Sequence, residues 1–177
     1  MSRIKNIGLF FLLAIVLYSS TYIAMQKFEI INKFKEIEEF VNVINVKTVP
    51  FVIYAIQLLF AYISTIIGTL ILSIISGWVV KIRMGFRQSF TIVVFANIIG
   101  VVLNLLFLIF IDFNNIYDFI KLSLFPSTWI VLCLYYFYYL KTKKIVVNTR
   151  RLILGLFLII CLGSLMTISN ILTIGGK

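Results

Sequence analysis

Histidine is missing from this chain, and cysteine, proline and acid are scarce: two cysteines, two prolines and six carboxylates in 177 residues. Without histidine there is no usual metal ligand and no usual general base near neutral pH. Cys133 and Cys161 both fall inside long apolar runs, so they read as free thiols rather than a disulfide framework or a metal site. The G-x-S-x-G, H-E-x-x-H, Walker A and G-x-G-x-x-G patterns are absent. Asp112 and Asp118 read as solvated loop charges rather than an acid/base pair. No enzyme activity, cofactor or metal is expected. Repeats, low-complexity tracts and Gly/Ser linkers are also lacking, which leaves one domain over residues 1–177.

Apolar residues fill the space left by charge. They make up 62% of the chain, and charged residues 12%, against about a quarter in a soluble domain. A bilayer crossing takes roughly 20 apolar residues in a helix. Five stretches meet that requirement: Ile7–Met25, Phe51–Val80, Phe90–Ile111, Leu122–Leu140 and Leu152–Ile174. The expected fold is all-α, a polytopic bundle of five transmembrane helices. The first stretch has the basic start of a signal peptide, but its apolar run continues to Met25 with no small-x-small site after it, so it is read as a retained span.

Charge assigns an orientation. Arg3, Lys5, Lys81, Arg83, Arg87, Lys141, Lys143, Lys144, Arg150 and Arg151 lie in alternate connections that contain no acid. The other connections hold Lys27, Lys33, Lys35, Lys47, Lys121 and Lys177 together with Glu29, Glu36, Glu38, Glu39, Asp112 and Asp118. Basic residues stay on the cytoplasmic side during insertion. The N-terminus is therefore expected inside and the C-terminus outside. The net charge of +10 follows from this topology, and nucleic acid is not an expected partner. Lys81, Arg83, Arg87, Lys143, Lys144, Arg150 and Arg151 would lie beside anionic headgroups of the inner leaflet, where each charge adds about 1 kcal/mol of attraction. A cytoplasmic partner could read the same residues.

Between the first two spans, residues 26–46 place Ile30, Phe34, Ile37, Val41 and Ile44 on one helical face, with Lys33, Lys35, Glu36, Glu38 and Glu39 opposite. An amphipathic outer helix is expected, either lying on the membrane or docking an outer partner. In the second span Ala61, Thr65, Gly68, Ser76 and Gly77 form a stripe of small residues suited to close helix packing. In the third, Asn97, Gly100 and Asn104 share a face, and Gln57 of the second span is placed to join them. Amides in hydrocarbon need partners. These four residues are candidates for interhelical polar contact, with a polar substrate path as the alternative. Tyr135, Tyr136, Tyr138 and Tyr139 crowd the inner end of the fourth span and read as an interfacial aromatic belt.

The stretch Ile75–Asn104 runs from a long helix ending near Trp78, through Lys81, Gly85 and Arg87-Gln88-Ser89-Phe90, into a helix with Ala96, Asn97 and Gly100. Further on comes Leu124-Phe125-Pro126-Ser127-Thr128-Trp129. This order of features, over Tyr54–Thr167, resembles the Yip1-type family of five-span membrane proteins. The chain departs from the pattern in having no proline in the third span and in lacking the long cytoplasmic N-terminal region of the family's eukaryotic members. Its wealth of Ile, Lys, Asn and Phe suits an AT-rich bacterial genome. The resemblance implies a bacterial cytoplasmic-membrane protein with an accessory or scaffold role, assisting an ABC-type exporter or protecting against antimicrobial peptides, with a membrane transporter or another membrane protein as partner. The alternative is a small substrate-binding membrane subunit of an uptake system, which a polar pocket would favour. An ion channel would need a polar stripe on an oligomeric axis, and only Asn97–Asn104 offers one. The sequence assigns no oligomeric state.

Overall fold

The computed structural model describes residues 2–32, 35, 48–113, 116, 118 and 127–175, with side chains from residue 7 to residue 165. The amphipathic helix expected over 26–46, the turn expected at Asp112–Lys121 and Pro126 lie largely outside the described residues. Every regular element among the described residues is helical. They are α1 (Ser2–Lys27), α2 (Val49–Ile75) running into a π-helical turn (Ser76–Val80), α3 (Phe86–Phe110), α4 (Ser127–Thr142) and α5 (Thr149–Gly175).

Among the described residues, three stretches are long and apolar enough to cross a membrane: Ile7–Lys27, Val49–Val80 and Phe86–Phe110. On that basis the chain is a multi-pass helical membrane protein. At about 1.5 Å per residue, the 32 residues of Val49–Val80 exceed a hydrocarbon core of about 30 Å.

The helix ends follow local chemistry. Pro50 sits in the first turn of α2, where a missing amide costs little. The third helix starts at Phe86, four residues ahead of the expected boundary. Gly85 takes an extended conformation there, and its amide donates to Gln88 Oε1 at 3.3 Å. The Gln88 amide in turn donates to the Gly85 carbonyl at 2.9 Å. This is half of a capping box, made without the Ser or Thr that signals one in sequence.

The second helix ends by widening into the π-turn. Lys81 closes it in the left-handed region (φ 63°, ψ 33°), and both its amide and that of Ile82 donate to the Ser76 carbonyl. The fourth helix ends in a similar way. Lys144 has φ 52°, and the Ile145 amide reaches back to the Leu140 carbonyl at 3.1 Å. That six-to-one bond is the Schellman closure, here with lysine where glycine is usual.

The third helix is the centre of the bundle and touches α1, α2 and α4; the fifth helix packs on α4, α2 and the π-turn. The main core joins Leu72, Ile75 and Val80 to Ile92, Val93 and Ala96, to Leu132, Tyr136 and Leu140, and to Ile159. Leu13 of α1 forms a second core with Val94 and Ile98. Outside these cores the helices present Phe11, Phe60, Leu134 and Phe157, all well exposed, as lipid-facing surface requires.

Glycines set how closely the helices approach. A Cβ at Gly68 would lie 3.1 Å from Val93, and one at Gly155 would lie 2.7 Å from Val80. A Cβ at Gly100 would run into Thr128, and one at Gly163 into the indole of Trp129. Gly77 meets nothing and takes no part in the close approach, so the small-residue stripe of α2 is shorter than its sequence suggests.

Candidate functional site

Two features of the bundle bear on function: a polar seam through its interior and a basic surface at one end.

The seam starts at Thr65, which is fully buried on α2. Its hydroxyl donates to the Ala61 carbonyl at 2.7 Å and accepts from Asn97 Nδ2 at 2.9 Å. The first bond is the local helix bond open to any threonine, and it leaves the oxygen's lone pairs free for the amide. One turn further along α2, Thr69 donates to the Thr65 carbonyl at 2.6 Å. Near the end of that helix Ser73 meets Ser89 of α3 at 2.9 Å, and the buried Ser76 donates to the Tyr136 hydroxyl at 2.9 Å.

Tyr136 is a correction. It was expected in an interfacial belt but is fully buried. It shares a helical face with Leu132, Cys133 and Leu140, which turns it toward the π-turn. Tyr138 lies on the exposed face, and Tyr135 stacks on Phe95 with ring centroids 4.6 Å apart.

The four amide-seam candidates separate. Asn97 reaches Thr65. Gln57 lies elsewhere, with its Oε1 accepting from Thr21 of α1. Gly100 contributes space, into which Thr128 of α4 fits. Asn104 Oδ1 is buried and has no hydrogen-bond partner among the described residues. Sequence reasoning missed Thr21, Ser73, Ser89 and Thr128. A single hydroxyl in an apolar run carries little signal, because threonine and serine satisfy themselves on their own helix.

Lys27 marks the end of the bundle remote from the basic surface. Its Nζ donates to the Leu108 and Ile111 carbonyls at 2.8 and 2.7 Å and lies 3.8 Å from Asp112. An ammonium at the C-terminal carbonyls of α3 is also favoured by the helix dipole. Because α1 and α3 finish together, they run parallel. The Thr65–Asn97 and Ser73–Ser89 bonds set α2 antiparallel to both.

The basic surface lies at the opposite end. Residues 81–85 and 143–148 join helices there, and both loops alternate. Ile82, Met84, Ile145 and Val147 pack against the main core, while Lys81, Arg83, Lys143, Lys144 and Val146 face outward. Arg87, Arg150 and Arg151, in the adjoining first turns of α3 and α5, are exposed as well. Cys133 and Cys161 are free thiols. Among the described residues no group of three His, Cys, Asp or Glu side chains is placed to hold a metal.

Compared with protein-family models, with curated proteins and with solved structures, the chain matches none.

Proposed function

We propose that the chain is a non-enzymatic accessory or scaffold protein of a bacterial cytoplasmic membrane. It crosses five times with the N-terminus inside, and it works through lateral contacts with a membrane-protein partner such as an ABC-type exporter. One observation carries this reading. Asn97, Gln57, Ser73 and Ser76 each place their polar group on a neighbouring helix. Polar groups used in this way fasten a bundle, and a bundle so fastened is suited to presenting its apolar exterior to a partner in the bilayer. The resemblance of its order of features to the Yip1-type family is in keeping with this reading.

A second reading has its own observation. The buried Asn104 Oδ1 without a partner among the described residues suits a polar ligand taken up among the helices, as in a substrate-binding subunit of an uptake system.

Purification from the native membrane in mild detergent, followed by mass spectrometry of proteins and small molecules, separates the two. Stoichiometric ABC-transporter subunits with no bound metabolite are expected. A stoichiometric metabolite, lost in Asn104→Leu, would replace the accessory reading with the uptake one.

A further inference from the structure

We infer that the basic end of the bundle is a docking surface for anionic phospholipid, gripping headgroup phosphates with its lysines and arginines while apolar side chains beside them enter the acyl boundary. The inference rests on the five-span, N-inside reading for the leaflet it assigns.

Charge supplies the first argument. Lys81, Arg83, Arg87, Lys141, Lys143, Lys144, Arg150 and Arg151 are all exposed at this end. All six carboxylates of the chain lie in the segments between α1 and α2 or between α3 and α4. Among the described residues, no acid lies within this surface to compete with an incoming phosphate.

Shape supplies the second. The loops are short, residues 81–85 and 143–148, and their alternate side chains are anchored in the core. Chain pinned at every second residue cannot project, since each residue spans at most about 3.5 Å. The charges are therefore held in a shallow layer at the helix ends, the depth at which headgroups lie. A loop meant to enter a groove on a soluble partner would need to stand further out.

The third argument is the apolar content of the same layer. Val146 is 97% exposed between Lys144 and Arg150, and Trp78 is 78% exposed on the π-turn just ahead of Lys81. Phe86 is exposed at the start of α3. In water, Val146 and Trp78 would be costly to leave uncovered. At a lipid interface an indole beside basic side chains is a favoured arrangement. The two lysines that end α2 and α4 in the left-handed conformation, Lys81 and Lys144, also belong to this layer. There a positive charge serves both the carbonyls of its helix end and the headgroups.

Trp78 is a built-in reporter. The full-length chain is reconstituted into vesicles of mixed phosphatidylcholine and phosphatidylglycerol, with bromine on the acyl chains of one lipid or the other. The Trp78 signal is the difference between the wild type and Trp78→Phe. Quenching is expected to show anionic lipid preferred about fivefold beside Trp78, the ratio for one basic contact. In the triple variant Arg83→Gln, Lys143→Gln, Lys144→Gln that ratio should fall toward one, while melting of the helices stays unchanged. A wild-type ratio near one would overturn the inference. So would a ratio that the triple variant leaves intact, or loss of co-purified transporter subunits in that variant without any change in lipid preference, which would assign the surface to protein. Sidedness is read separately. Val146→Cys should react with an impermeant maleimide only in inverted membrane vesicles, beyond the background of the wild-type thiols. Reaction from the outer face would reverse the topology and still leave the lipid ratio to decide the docking surface.

Discussion

The Thr65–Asn97 contact joins two long apolar helices, α2 and α3, through side chains that hydrocarbon would otherwise penalise. Such bonds are worth about 0.6 kcal/mol on average in membrane proteins, because the separated helices also find partners. A double-mutant cycle of Thr65→Val and Asn97→Leu is therefore expected to give a coupling of about 0.5–1.5 kcal/mol in detergent unfolding titrations. A coupling near zero would mean that Asn97 serves something other than α2. Packing should matter more. At Gly163 the Trp129 indole occupies the space a methyl group would take. Gly163→Ala is expected to cost about 1–3 kcal/mol by overpacking, and Gly77→Ala, where nothing lies within reach, to be neutral or mildly stabilising. Thermal melts of the two variants side by side check this contrast. The amide at Asn97 is legible in the sequence because it interrupts an apolar run. The acceptor at Thr65 is not, since its hydroxyl could have been satisfied wholly within its own helix.

At the scale of elements, helix existence follows from apolar length, and the ends follow from capping. The third helix begins at Phe86 because Gly85 and Gln88 close its first turn, a pairing that sequence patterns for Ser or Thr caps pass over. The second helix ends in a π-turn, and no residue in Ser76–Val80 announces it. Packing explains the position. A Cβ on Gly155 of α5 would lie within 3.4 Å of both Ile75 and Val80, so α5 presses against both ends of the turn. Lys81, at φ 63°, carries the steric cost of a left-handed side chain. Lys81→Gly is expected to stabilise the bundle by about 1 kcal/mol and to lower the anionic-lipid preference beside Trp78, two effects of opposite benefit read in separate assays. Lys27→Met should act at the other end. It removes the donor that fastens α1 to the Leu108 and Ile111 carbonyls, at a cost of about 1–3 kcal/mol for a charged hydrogen-bonding group. Hydrogen exchange should then rise at the last turn of α3 ahead of the rest of the helix.

For the whole molecule, the described helix ends fall into two groups. The Lys27 contacts bring the far ends of α1 and α3 together, and the main core gathers the two basic loops at the opposite end. Cysteine labelling at position 146 from either face of the membrane tests which leaflet that end occupies. What the sequence determined by itself is the class of molecule. Long apolar runs with few charges form helices, since only internally bonded backbone is tolerated in lipid, and the placement of basic residues separates the loops into two groups. Tertiary structure decided which polar groups meet. It sent Gln57 to Thr21 instead of to Asn97, buried Tyr136 against Ser76, and used Gly100 as space for Thr128. The physical reason is that apolar helices of this composition offer many nearly equivalent faces, so helical periodicity alone does not choose a partner. The choice comes from where glycine lets two backbones approach and where a large side chain, such as Trp129, has to fit. Those are properties of pairs of helices, and no single segment of sequence contains them.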